Sequence, residues 1–157
     1  MMSEVVGDSV AREFEEFFAD RFVALSRLAY LLTGSASAAD EIAQDALEGV
    51  FRRWAAIEHP RAYARVAVVN GARSWLRRRK VADRLRSERV EPSELDADAI
   101  VLRRVLATLP DREREVVVLR FYADLTVDDI AAELDVPAGT VKSLLHRTLA
   151  KLNKELS

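Results

Sequence analysis

The chain has 157 residues, 50% of them hydrophobic and 32% charged, with a net charge of -2, which suits one folded domain or two very small ones. It contains no cysteine and only two histidines, His59 and His146, far apart in sequence, so disulfides and a thiolate metal site are excluded and bound zinc is not expected. No apolar run approaches the roughly 20 residues that span a bilayer, and Met1 to Ser9 lacks the basic-then-apolar order of a secretory signal; a cytoplasmic protein without membrane contact is expected.

The small net charge hides a division along the chain. Residues 1–60 carry 5 basic and 11 acidic groups, residues 61–89 carry 10 and 2, residues 90–135 carry 5 and 12, and residues 136–157 carry 4 and 1. Two basic blocks thus alternate with two acidic ones. The pattern suggests two separate contacts with a polyanion, and acidic surfaces that avoid DNA and face a protein partner.

In chain order, Phe14, Phe17, Phe18, Phe22, Leu25, Leu28 and Leu32 recur at helical spacing and predict an amphipathic helix ending near Thr33-Gly34. Ser37 with Asp40 resembles a cap for a second helix, in which Ala39, Ile42, Ala43, Ala46, Leu47, Val50, Phe51 and Trp54 form one apolar stripe. Asp40, Glu41, Gln44, Asp45 and Glu48 fall outside it. His59-Pro60 interrupts the pattern, and a third helix is expected from Pro60 to about Lys80.

That third helix holds the larger basic block. Asn70, Arg73 and Arg77 form one stripe, Trp75, Arg78 and Arg79 point elsewhere, and Gly71 weakens the middle. Arginines neutralise phosphates, Asn can bond base edges, and Trp75 either packs in the core or stacks on an unpaired base. Residues 81–98 change character, with many charges of both signs, few large apolar residues and Pro92, and read as a linker.

Beyond it, Ile100, Val101, Val105 and Leu109 suggest a helix, Leu109-Pro110-Asp111 a break, and Val116, Val117, Leu119 and Phe121 another helix. From Thr126 to Arg147 the spacing is that of a helix-turn-helix. Thr126 and Asp129 make a capping box, Asp135 tolerates a left-handed turn, and Pro137 opens the second helix. Ile130, Ala131, Leu134, Val136, Val141 and Leu144 are apolar where two steeply crossing helices bury them. Burying Val141, Leu144 and Thr148 turns Lys142, Ser143, His146 and Arg147 outward. In the major groove Thr140, Lys142 and Ser143 are placed to read bases, with His146 and Arg147 to read or to grip phosphate. No strand signal is present, so the fold class expected is all-α: two small helical domains (10–80 and 99–157) joined by the charged linker, the C-terminal one carrying the helix-turn-helix.

Three blocks in this order, AADEIAQDALEGVF (Ala38 to Phe51), AYARVAVVNGARSWLRRR (Ala62 to Arg79) and LPDREREVVVLRFYADLTVDDIAAELDVPAGTVKSLLHR (Leu109 to Arg147), resemble the extracytoplasmic-function sigma factors of bacterial RNA polymerase. The resemblance covers nearly the whole chain, and departs from the usual family pattern at Gly71 and Ser74. It implies that the second helix docks on the clamp coiled coil of the polymerase's largest subunit, through Asp40, Glu41, Gln44, Asp45 and Glu48. It also implies that the third helix and the loop before it, Ala55 to Arg61, open the minus-ten promoter element and flip a base into a pocket. His59 and Arg61 then line that pocket, and Asn70, Arg73, Trp75, Arg77 and Arg78 meet the nearby DNA. Thr140, Lys142, Ser143, His146 and Arg147 become readers of the minus-thirty-five element. Core polymerase and promoter DNA are the implied partners, with an anti-sigma factor that masks the polymerase-binding surfaces as a further expected one.

The sequence supplies no nucleophile–base pair, phosphate-binding glycine loop or metal cluster, so neither catalysis nor a cofactor is expected. Two alternatives remain on residues alone. A stand-alone dimeric regulator would use residues 1–80 to dimerise and would shift DNA without polymerase, and a protein-interaction module would shift no DNA at all. A sigma factor is expected to be monomeric when free.

Overall fold

The computed structural model describes residues 2–83 and 97–156, and within them the protein is built from helices without strands. The N-terminal part consists of α1 (Met2–Thr33), α2 (Ala36–Arg52) and α3 (Pro60–Asp83), which pack on one another. The C-terminal part holds α5 (Asp111–Val117), a π-helical turn (Val118–Tyr122), α6 (Val127–Leu134) and α7 (Ala138–Leu156), with α7 lying across both α5 and α6. Between the two parts, α4 (Ala97–Ala107) rests against α1. Thus the outer residues of the sequence interval read as a linker are helical, and 84–96 lie outside the described residues.

The N-terminal core follows the apolar stripes. Leu25, Leu28, Ala29 and Leu32 of α1 meet Ala39, Ala43, Leu47 and Val50 of α2 and Ala64, Val68 and Ala72 of α3, all buried. Each large side chain removed from water contributes about 1.5–3 kcal/mol, and the alanines let the helix axes approach. The α1 helix stops where expected, at Gly34, whose φ of +79° is open to glycine and strained for other residues.

Two local expectations are corrected. The cap of α2 is Ser35, whose hydroxyl accepts from the Ala38 N–H at 3.2 Å, rather than Ser37 with Asp40. Phe51 ends the α2 stripe on the surface, 54% exposed, with its ring 4.8 Å from that of Phe14, while Trp54 lies beyond the helix against Phe14 and Phe17. Gly71 has a packing reason: a Cβ there would stand 3.0 Å from Ile42 Cγ2, so the residue lets α3 close onto α2.

In the C-terminal part Leu106, Leu109, Val116, Leu119, Ile130, Val141, Leu144 and Thr148 are buried. The buried apolar residues here are therefore Leu106 of α4 and Leu109 just beyond its end, and Val101, expected inside, is exposed.

Three successive charged residues, Glu113, Arg114 and Glu115, are also buried in α5. Arg114 repays its burial with hydrogen bonds to four acceptors. It donates to the carbonyl oxygens of Leu109 at 2.7 Å, Leu106 at 3.0 Å and Leu32 at 3.3 Å, and to the Asp111 carboxylate at 3.1 Å. One guanidinium thus ties the end of α1 to α4 and α5. Arg103 lies beside it, across Gly34; burial first, then the charge of Arg114, pull its pKa down to about 10.

Candidate polymerase and nucleic-acid interfaces

The helix-turn-helix forms as its local chemistry dictates. The Thr126 hydroxyl accepts from the Asp129 N–H at 3.1 Å and starts α6. Asp135 ends it in the left-handed region, φ 54° and ψ 51°, and sends the Val136 N–H back to the Ala131 carbonyl at 3.0 Å. Pro137 sits one residue ahead of α7 rather than within it, and its carbonyl accepts the Thr140 N–H at 3.0 Å. Ile130 and Leu134 of α6 and Val141, Leu144 and Thr148 of α7 are buried. Thr140, Lys142, Ser143, His146 and Arg147 all emerge on the solvent side of α7. Behind them, Glu113 of α5 takes a two-oxygen contact from Lys151 Nζ at 2.9 and 3.1 Å and lies 3.8 Å from Arg147. Arg147 is therefore partly neutralised from within the protein.

On α2, Glu41, Gln44, Asp45 and Glu48 line an open acidic face. Asp40 is exposed too, but its carboxylate accepts a hydrogen bond from the Ser26 hydroxyl of α1, which gives it a structural task.

The α3 residues divide into two sets. Asn70, Arg77 and Arg78 are exposed, as are His59 and Arg61 at the preceding turn, and Arg61 forms a surface pair with Asp20 at 3.3 Å. Trp75 is half-buried, packed against the core on one side, with the Arg79 guanidinium 5.0 Å from its ring centroid.

Arg73 belongs to the other set. Its guanidinium meets Glu115 of α5 side-on, with Nε and one terminal nitrogen at 2.6 and 2.8 Å from the two carboxylate oxygens. The hydrogen bonds to Glu115 raise the Arg73 pKa against the opposing pull of burial. Eight positions earlier, Arg65 donates twice to Glu133 of α6, at 2.8 and 3.1 Å. Towards the end of α3, Lys80 Nζ is 2.9 Å from Asp111. Burial alone would raise the Asp111 carboxyl, and Lys80 and Arg114 together outweigh it and hold it below its ordinary value.

Glu115, Glu133, Arg65 and Arg114 carry these contacts and did not stand out in the sequence. The alternating charge blocks were their signal. The second acidic block does face a partner, and that partner is the basic helix of the same chain.

Comparison with known proteins agrees with this geometry. The family model for sigma-70 region 2 matches residues 22–82, and that for sigma-70 region 4 matches residues 105–154. The chain is 39% identical over 153 residues to the RNA polymerase sigma-E factor of Streptomyces coelicolor, covering 92% of this chain and 86% of that one. It is 30% identical over 139 residues to the ECF RNA polymerase sigma factor RpoE of Cereibacter sphaeroides, covering 78% and 74% respectively. In fold it is similar to the sigma factor RpoE solved in complex with the anti-sigma factor NepR from Bartonella quintana. That likeness has a TM-score of 0.77 at 22% identity, over 92% of this chain and 97% of that one. CnrH, solved with the cytosolic domain of CnrY, gives a TM-score of 0.72 at 24% identity, over 93% and 88%. With both conserved regions present in order, and with relatives matched over most of their length, the chain belongs to the sigma-70 family, among the extracytoplasmic-function sigma factors of bacterial RNA polymerase.

Proposed function

We propose that residues 10–80 form the unit that binds core polymerase and the minus-ten element, and residues 99–157 the unit that reads the minus-thirty-five element. A sigma factor directs promoter-specific initiation, and this division assigns each step to a surface. The open acidic face of α2, Glu41, Gln44, Asp45 and Glu48 with Asp40 at its edge, docks on the polymerase. His59 and Arg61 line the pocket for a flipped base, and Asn70, Arg77 and Arg78, joined by Arg73 once it is free of Glu115, hold the opened strand. Thr140, Lys142, Ser143, His146 and Arg147 enter the major groove upstream. The protein makes and breaks no covalent bonds and works as a monomeric adaptor in the cytoplasm. The family, and the anti-sigma factor NepR bound to RpoE in the solved complex of similar fold, support an anti-sigma factor as its further partner.

The observation that carries this reading is α7: all five upstream readers stand on one solvent face, while the opposite face is buried. Run-off transcription with core polymerase tests it. Lys142→Ala with Arg147→Ala is expected to reduce initiation from promoters that need the upstream element by about tenfold or more, since each lost phosphate or base contact is worth roughly 1–3 kcal/mol. Binding to core polymerase is expected to stay unchanged. Undiminished use of such promoters by the double variant would contradict the assignment of α7.

A further inference from the structure

The N-terminal core ends before α1 does. Phe14 stands level with the last turn of α2, its ring 4.8 Å from that of Phe51, and Arg61 at the start of α3 meets Asp20. Ahead of Phe14 the described side chains of α1 are all exposed, yet residues 2–13 continue the helix by about 18 Å, at roughly 1.5 Å per residue. The apolar stripe continues with it. Val6, Val10, Phe14 and Phe17 follow at spacings of four and three on the side that, further along, presents Leu25, Leu28 and Leu32 to the core. Val6 is 62% and Val10 37% exposed, and Met2 beyond them 83%.

Local propensity does not account for this stretch. Val5, Val6, Gly7, Asp8, Ser9 and Val10 are weak helix formers, and a helix with no face packed is marginal in water. A stripe kept in register over three turns has its use against something that covers it. Charge and area decide what that is. Residues 2–16 carry five acids, Glu4, Asp8, Glu13, Glu15 and Glu16, against Arg12 alone. A lipid surface is anionic and takes helices rich in Lys and Arg, so these acids oppose it. A second copy brings like charge, and two strips about 18 Å long and roughly 10 Å wide bury well under the roughly 1,200 Å² at which stable pairs begin. A basic protein surface meets the demands of both charge and stripe. The acidic face of α2 calls for the same chemistry, and Phe51, three residues after Glu48 and seven after Gln44, carries that face to the ring of Phe14.

We infer that the overhanging start of α1 is a second polymerase-binding element: Met2, Val6 and Val10, with Glu4, Asp8 and Glu13 around them, pack on a basic, partly apolar surface of core polymerase next to the one that α2 engages. The assignment of α2 to polymerase supplies the choice of partner. The open stripe and its acidic surroundings do not depend on it.

Hydrogen exchange and competition binding, both with the full chain, test this. The amides of residues 5–13 are expected to exchange freely in the protein alone and to slow about tenfold or more in complex with core polymerase. Val6→Thr with Val10→Thr keeps the β-branched shape and sets hydroxyls where methyls stood. It is expected to weaken competition for core polymerase about tenfold, with helicity and upstream DNA binding unchanged. Glu4→Gln with Asp8→Asn is expected to weaken binding at low salt and to flatten its salt dependence. Affinity unaltered by the threonine pair, or amides that exchange as fast in the complex as in the free chain, would overturn the inference. So would protection that arises in the protein alone as its concentration rises, the sign of a second copy, or on vesicles of phosphatidylserine and phosphatidylcholine. Gln44→Ala with Asp45→Ala separates the two assignments. Weakened binding by that pair beside full binding by the threonine pair upholds α2 and overturns the α1 element, and the reverse upholds the α1 element and overturns α2.

Discussion

Replacing Gln44 and Asp45 together by alanine is expected to weaken binding to core polymerase by about a hundredfold while leaving the fold and the upstream DNA reader untouched. Both side chains stand on the open face of α2, opposite Ile42, Ala43, Ala46 and Leu47, which are buried against the rest of the N-terminal core. Alanine is the best helix former, so the change adds nothing unfavourable to α2 and removes no contact within the core. What it removes is an acidic and an amide group at the centre of the proposed docking face. Hot-spot residues at the centre of an interface cost about 2 kcal/mol or more each when they are truncated, and about 1.4 kcal/mol corresponds to tenfold in affinity, so the expected effect treats this pair as such a hot spot. Competition with a reference sigma factor for core polymerase reads the effect directly. Normal competition by the double variant would show that polymerase docks elsewhere.

The largest effect on stability is expected at Arg114. Truncation to alanine strips hydrogen bonds from the carbonyls of Leu32, Leu106 and Leu109 in a region closed to water, and leaves Asp111 with Lys80 as its remaining cation of this cluster. Removing one partner of a buried, fully bonded charged group costs about 3–5 kcal/mol, because the partners keep their desolvation penalty without the bond that offset it. One term works in the other direction. The neighbouring Arg103 is depressed partly by the charge of Arg114 and is relieved when that charge goes, so a loss near the lower end of the range is expected. Lysine is not expected to rescue the site, since a single ammonium cannot span the three carbonyls that the planar guanidinium reaches. Urea unfolding followed by helicity measures the difference, and a loss below about 1 kcal/mol would contradict the role assigned to Arg114.

The parts of this protein that local rules govern were legible in the sequence, and the parts governed by long-range pairing were not. The helix-turn-helix could be placed because Thr126, Asp135 and the spacing from Ile130 to Leu144 each obey a rule spanning only a few residues. The outward set on α7 follows from the same spacing. Ser35 was missed as the α2 cap because Ser37 offers the same chemistry two positions later, and sequence alone does not rank two serines before an alanine-rich helix. Phe51 continues the α2 stripe in register but lies where that helix runs past the core, so periodicity alone places it wrongly.

The interior of the charge pattern was harder. Arg73 and Glu115 are 42 residues apart, and Arg65 and Glu133 are 68 apart. No periodicity links residues at such distances. The alternation of basic and acidic blocks was visible, but a block of charge does not state whether its complement lies in another molecule or further along the same chain. In this structure part of the acidic block finds its complement at home, with Arg73 paired to the Glu115 carboxylate of the same chain.

The account as a whole depends on the chain conferring promoter choice on an enzyme that lacks it. Mixing the purified protein with core polymerase, presenting a random DNA library and sequencing the templates that yield transcripts measures this most directly. The account predicts transcripts that require the protein and arise downstream of two recurring sequence blocks separated by a fixed spacing. Transcription indifferent to the protein, or selected templates that share no such pair of blocks, would contradict it.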